Sequence, residues 1–153
     1  MKELLSITAG IFLGYTLQAG AEDFDQENFA LNYFEAWTAT QSPHATKEDL
    51  EHYLSFLAED VGHEHIPYDT DDTRYPDGKE SMREGMTRYL GVHIEYHAKL
   101  IALTYGLNAV AIQFEVSKKA IRDPDQPIVS ITYNSLELLE IENGKVSVIR
   151  KYH

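Results

Sequence analysis

Near residue 91 the spacing of apolar residues changes, and that change restricts the fold more than any other feature of the chain. Before it, Phe29, Tyr33 and Trp37, with Ala30 and Phe34, recur three and four positions apart. That is the period of an amphipathic helix, expected from Glu22 to about Thr40. After Gln41-Ser42-Pro43-His44, Thr46 reads as an N-cap with Glu48 and Asp49 in the first turn, opening a second helix with Leu50, Tyr53, Leu54 and Leu57 inward. A short strand is expected over Glu59 to Ile66, ended by Pro67, then an acidic loop from Tyr68 to Gly78 and a third helix from about Lys79 to Leu90. Beyond that point the period is two. Val92, Ile94, Tyr96, Ala98 and Leu100 alternate with His93, Glu95, His97 and Lys99, and Val110, Ile112, Phe114 and Val116 repeat the pattern. A loop at 123–127 precedes a long strand from Ile128 to Glu142, and Asn143-Gly144 is a hairpin signal before a last strand from Lys145 to His153. Helices gathered ahead of an antiparallel meander cannot build a parallel sheet, so the class is α+β, with the helices covering one face of a curved sheet.

Charge and composition narrow the function. Twenty-five Asp and Glu against thirteen Lys and Arg give a formal net charge of -12, which repels phosphate backbones and anionic lipid surfaces. No nucleic-acid partner is expected. With no Cys there is no disulfide framework, thiolate metal site or thiol nucleophile. The nucleophilic Ser motifs, phosphate-binding glycine loops and dinucleotide fingerprints are all missing, so no organic cofactor is implied.

The first 21 residues have the layout of a secretory signal peptide. Lys2 precedes the mainly apolar run Leu4 to Leu17 and then the small residues Ala19-Gly20-Ala21, which places cleavage before Glu22. The run is too short to span a bilayer comfortably. The expectation is a mature domain over 22–153, periplasmic or secreted, with no membrane association once the signal is removed.

Three stretches together resemble a known family. Leu57-Ala58-Glu59-Asp60-Val61 leading to His63-Glu64-His65-Ile66-Pro67 is similar to the end of the second helix and the first strand of SnoaL-like polyketide cyclases and ketosteroid isomerases. Gly78-Lys79-Glu80-Ser81-Met82-Arg83-Glu84 resembles their glycine-led entry into a third helix, and Glu137 to Val146 their closing hairpin. The chain from Gln26 to His153 thus resembles the nuclear transport factor 2-like superfamily, nearest to its SnoaL-like branch. The resemblance implies a cone-shaped barrel, a curved mainly antiparallel sheet covered by three N-terminal helices around a pocket for a small, largely apolar molecule. It also implies a homodimer, for which Leu136, Leu138 and Ile149 are the expected outward apolar positions. The chemistry of such pockets is of isomerase, cyclase or dehydratase type. The alternative is a non-catalytic dimerisation or ligand-carrier module.

Acid-base chemistry in an apolar pocket needs a base beside the substrate and a donor where negative charge develops. Side-chain alternation puts Val61, His63 and His65 on one face of the first strand and Gly62, Glu64 and Ile66 on the other. His65 is the nearest match to the general base that the resemblance places ahead of the strand-ending proline, although an imidazole stands where that pattern has a carboxylate. Glu137 shares a strand face with Val129, Ile131, Tyr133, Ser135, Leu139 and Ile141, so burying it is costly unless it is paired. The resemblance places it near a strand acid that donates to an oxyanion when protonated; the other reading is a Glu near the sheet end that reaches solvent or pairs with Arg150. Tyr33 matches a helix tyrosine used as a donor, and Trp37 lies one turn on. Trp37, His63 and Tyr133 complete the expected ligand-binding set. His63-Glu64-His65 also has the spacing that directs two imidazoles from one strand face to a metal, but His93 and His97, the nearest further ligands, fall on the charged face of their strand, and no metal is expected.

Overall fold

The computed structural model describes residues 24–120 and 127–152; the expected signal peptide and most of the 123–127 loop lie outside them. Helix α1 (Gln26–Thr40) starts where the Asp25 carboxylate accepts from the backbone N–H of Asn28. Helix α2 (Lys47–Leu54) starts at a capping box in which Thr46 and Asp49 satisfy each other's backbone N–H. Strand β1 (Leu57–Ile66) and helix α3 (Gly78–Thr87) follow, then β2 (His93–Tyr105), β3 (Ala109–Ala120), β4 (Val129–Glu142) and β5 (Lys145–Tyr152). Leu57, expected on the inner side of the second helix, instead opens β1, where it is fully buried.

The five strands form one sheet in the order β1-β5-β4-β3-β2. Three neighbouring pairs are antiparallel, while β1 runs parallel to β5, so the sheet is mixed. The β4–β5 turn is tight because Asn143 and Gly144 both take positive φ, 50° and 72°, the geometry that matches strand twist in a two-residue hairpin. The architecture is α+β, as expected. Helix α1 lies across β2 and β3, and α3 lies against β1. Tyr33, Leu50, Leu54, Leu57, Val110, Ile112, Phe114, Val116, Leu139 and Val146 are all less than 2 % exposed between helices and sheet. Each aliphatic or aromatic side chain buried to that extent contributes roughly 1.5–3 kcal/mol.

Two irregularities shift faces that simple alternation assigns. Between β4 and β5, Glu140 pairs with Val148 while Ile141 pairs with Val146, leaving Ser147 as an inserted residue. Val146 points inward before the bulge. After it, Val148 and Arg150 point outward while Ile149 and Lys151 point inward. Ile149, expected on the outer face as a dimer contact, is therefore 1 % exposed inside the core. In β2 the register breaks between His93 and Glu95, so Ile94 is exposed while His93 is half-buried, its Nδ1 3.1 Å from the Gln41 carbonyl oxygen. His93 and His97 thus do not share a face.

After the cis Ile66-Pro67 bond the chain reverses, and His65 exchanges backbone hydrogen bonds with Asp69. Residues 69–77 then run as a strap beside the edge strand β1. The strap passes over Gly62, where an added Cβ would stand 2.2 Å from the Asp72 carbonyl oxygen, so a side chain there would push it away.

Candidate functional site

The inner ends of β1, β5 and β4 carry the polar groups of the interior. In register, His65 stands beside Lys151, and Lys151 beside Glu137, so three ionisable side chains form a row across the concave face. His63 precedes His65 on the same face of β1, and their rings meet edge to face with centroids 4.6 Å apart. The α1 side contributes Tyr33 and Trp37, one helical turn apart and both buried.

Glu137 is 3 % exposed and accepts two hydrogen bonds. Lys151 Nζ donates to its Oε1 at 2.6 Å, and Tyr33 Oη donates to its Oε2 at 3.2 Å. A phenol has one proton, so Tyr33 must accept from the Tyr53 hydroxyl 3.2 Å away. The result is a relay from Tyr53 through Tyr33 to the carboxylate. Burial, and then the charge of Glu137, raise the Tyr33 hydroxyl well above the ordinary phenol range and keep it a donor. The expected alternative partner, Arg150, is on the opposite face of β5, where it binds Glu64, Asp72 and Glu140. Glu137 is paired inside the core by Lys151 instead.

The Lys151 ammonium sits 4.2 Å from the centre of the Trp37 ring, a cation-π contact, with the Phe114 ring centre 5.7 Å away. Trp37 is wedged between Phe34, Tyr96 and Phe114, which fixes the plane on which the ammonium rests.

Two cavities meet at His63, His65, Met82 and Met86. The inner one, about 170 Å3, reaches Trp37, Gln41, Tyr53, Glu137, Ile149 and Lys151. The outer one, about 700 Å3, opens between α3 and the strap, past Val61, Tyr75, Tyr89 and three strap or helix-cap carboxylates, Asp69, Asp71 and Asp77. Alternation along the strap puts residues 69, 71, 73, 75 and 77 on the cavity, while Asp72 and Arg74 reach back to the sheet.

Both histidines are biased toward the neutral imidazole. Burial, reinforced by His65, pushes His63 down to about 4, and burial together with the Lys151 charge lowers His65 from its usual value. A neutral imidazole beside a cavity is chemically an acceptor for a proton.

The expected residues Tyr33, Trp37, His63, His65 and Glu137 come together. Tyr133 does not: it lies further along β4, half-buried, with Lys118 5.6 Å from its ring, and lines neither cavity. Among the described residues no group of three or more His, Cys, Asp or Glu is arranged to hold a metal. Lys151, Met82 and Met86 are the additions that the sequence reading missed. The methionines lie four apart on α3, a signal for one helix face; Lys151 carried no usable signal, because the bulge at Ser147 decides its direction.

No protein-family model matches the sequence, and no curated protein matches it. Solved structures do match. A protein from Shewanella putrefaciens CN-32 assigned as a SnoaL-like polyketide cyclase superposes with a TM-score of 0.63 at 14% identity, covering 82% of this chain and 86% of its own. One from Xanthomonas campestris assigned as a polyketide cyclase gives 0.60 at 18% identity over 82% and 87%. A protein with a ketosteroid isomerase-like fold from Catenulispora acidiphila, solved with trimethylamine, gives 0.60 at 15% identity over 83% and 85%. The chain therefore has the cone fold of the nuclear transport factor 2-like proteins, and its structural neighbours include SnoaL-like and ketosteroid isomerase-like members.

Proposed function

We propose that the protein binds a small, largely apolar molecule in the paired cavities and carries out acid-base chemistry on it. The observation that carries this reading is the convergence of His63, His65, Glu137 and Lys151 on the inner cavity, with Tyr33 bonded to Glu137 behind it and Trp37, Met82, Met86 and Ile149 supplying apolar wall. His65, lowered from its usual pKa and standing in the row with Lys151 and Glu137, is the candidate base. Tyr33 and Glu137 hold the proton relay behind the floor, and Glu137, bound to an ammonium, serves as an acceptor more readily than as the protonated donor of the sequence-based expectation. Isomerisation, cyclisation and dehydration all need a base and a placed proton donor, and this floor supplies both.

The sole tryptophan gives the test, because Trp37 lines the inner cavity. Small apolar molecules should change its fluorescence saturably, and Met86→Trp, which fills the junction of the cavities, should abolish that response at position 37. A wild-type protein whose Trp37 emission ignores every apolar probe counts against the reading.

Export and dimerisation belong to the same proposal. The layout of residues 1–21 supports a mature periplasmic or secreted chain starting at Glu22, which N-terminal sequencing of native protein tests. Leu136 and Leu138, half-buried on the convex face of β4, support a homodimer even with Ile149 turned inward. Light scattering across micromolar concentrations checks it, a monomer being the contrary result.

A further inference from the structure

Lys151 is the one Lys or Arg among the described residues that line the inner cavity, and a single hydrogen bond leaves donor capacity over. Its ammonium carries three N–H donors. One goes to Glu137 Oε1 at 2.6 Å, and the Trp37 ring covers another direction at 4.2 Å. No other oxygen or nitrogen of the described residues accepts from it. The residue is 9 % exposed and lines the inner cavity, so the remaining donor capacity lies at the cavity wall, where an unmet ammonium N–H is costly. The other polar side chains of the lining, Gln41, His63 and His65, make no hydrogen bond to it. Tyr33 and Tyr53 direct their hydroxyls along the relay to Glu137, and Ile149 and Met82 have no suitable acceptor.

We propose that Lys151 Nζ is the donor that recognises the ligand, and that it selects a small apolar molecule ending in a neutral oxygen acceptor, a carbonyl above all. The inference rests on the reading of the cavity as a small-molecule site and names the chemistry that site prefers. The charge arrangement discriminates between acceptors. A carboxylate would pass Asp69, Asp71 and Asp77 at the mouth and come to rest beside Glu137, whose charge already balances Lys151. A hydrocarbon would leave the ammonium unmet. A carbonyl oxygen supplies the missing acceptor without adding a charge, and Trp37 and Glu137 hold the ammonium in place to meet it.

Three ligands of one skeleton separate these cases: cyclohexyl methyl ketone, ethylcyclohexane and cyclohexanecarboxylate. Met82 and Met86, two of the three methionines in the chain, line both cavities, so their labelled methyl resonances report occupancy directly. The full chain is expected to bind the ketone about tenfold more tightly than either other probe. In Lys151→Met the ketone should lose that advantage over the hydrocarbon while the hydrocarbon still binds. Glu137→Gln/Lys151→Met removes both charges of the floor and should behave in the same way, so the result does not depend on the single variant folding. Hydrocarbon binding with no preference for the ketone, or a preference that survives in the double variant, overturns the proposal and leaves the cavity reading intact. Tightest binding by the carboxylate overturns the ligand class. Methyl resonances that respond to none of the three overturn the cavity reading and this proposal with it.

Discussion

Arg150 and Lys151 are adjacent in β5 and point to opposite faces of the sheet, and their surroundings differ in kind. Arg150, on the convex face, is surrounded by three carboxylates: Glu64 at 2.9 Å, Asp72 at 2.5 Å and Glu140. Those contacts bind β1, β4 and the strap to one guanidinium, whose planar fork suits several partners at once. Arg74 repeats the arrangement near the other end of the strap, at 2.9 Å from both Asp60 and Glu142. Lys151, on the concave face, has one carboxylate, one aromatic ring and a cavity. A cation whose donors are saturated by the fold is a fastener; one left with spare donors beside a cavity can meet a ligand.

The largest effect expected from breaking this contrast is on the concave side. Glu137→Leu leaves a buried ammonium without its counter-ion and should cost about 3–5 kcal/mol. Glu137→Leu/Lys151→Met should recover most of that, since apolar replacement of a whole buried pair is often close to neutral. Urea unfolding of the two variants checks both statements, and equal loss in single and double variant would contradict the pairing.

Next in size is the pH dependence set by His63. Its imidazole titrates near 4 in the folded protein against 6.5 ordinarily, because burial disfavours the charged ring. Between those values the unfolded chain binds more protons, so this contribution is complete above pH 6.5 and is lost as the pH falls toward 4. The full loss is on the order of 3 kcal/mol. His63→Gln should flatten the stability profile across that window relative to wild type, leaving the carboxylate-driven decline below it.

On the convex side, Arg150→Met strands Glu64, which is 5 % exposed, and releases Asp72 from the sheet. A loss of about 2 kcal/mol is expected, with limited proteolysis of the strap accelerated and the methionine methyl response to hydrophobic probes retained. Loss of that response would mean that the strap shapes the cavity more than its fastening implies. The smallest effect belongs to Lys119 and Glu95, paired at 2.9 Å with both side chains well exposed. Lys119→Ala should change stability by less than about 1 kcal/mol, and less again at high salt.

The helix-to-strand change of period, the capping box at Thr46 and the hairpin at Asn143-Gly144 were legible because each depends on residues within a few positions of one another. The same holds for the grouping of His63 and His65 and for Tyr33 with Trp37 on one helix face. The place of Glu137 on a mainly apolar strand face was legible as well, since Ser135 and Leu139 flank it two positions away, and all three are buried. Its partner was not. A bulge adds one residue to one strand of a pair and so exchanges the faces of everything beyond it. The insertion at Ser147 turned Ile149 and Lys151 inward and Arg150 outward, against plain alternation from Val146.

The sequence by itself therefore determined the elements, their order, the α+β class and the polar groups available to an interior site, because periodicity, capping and turn chemistry are local. Tertiary structure decided that β1 runs parallel to β5, that residues 69–77 fold back beside β1, and that Glu137 meets Lys151 in place of Arg150. Those outcomes depend on register between strands far apart in sequence, His65 lying beside Lys151 and Leu57 beside Val146, which no short window of sequence encodes.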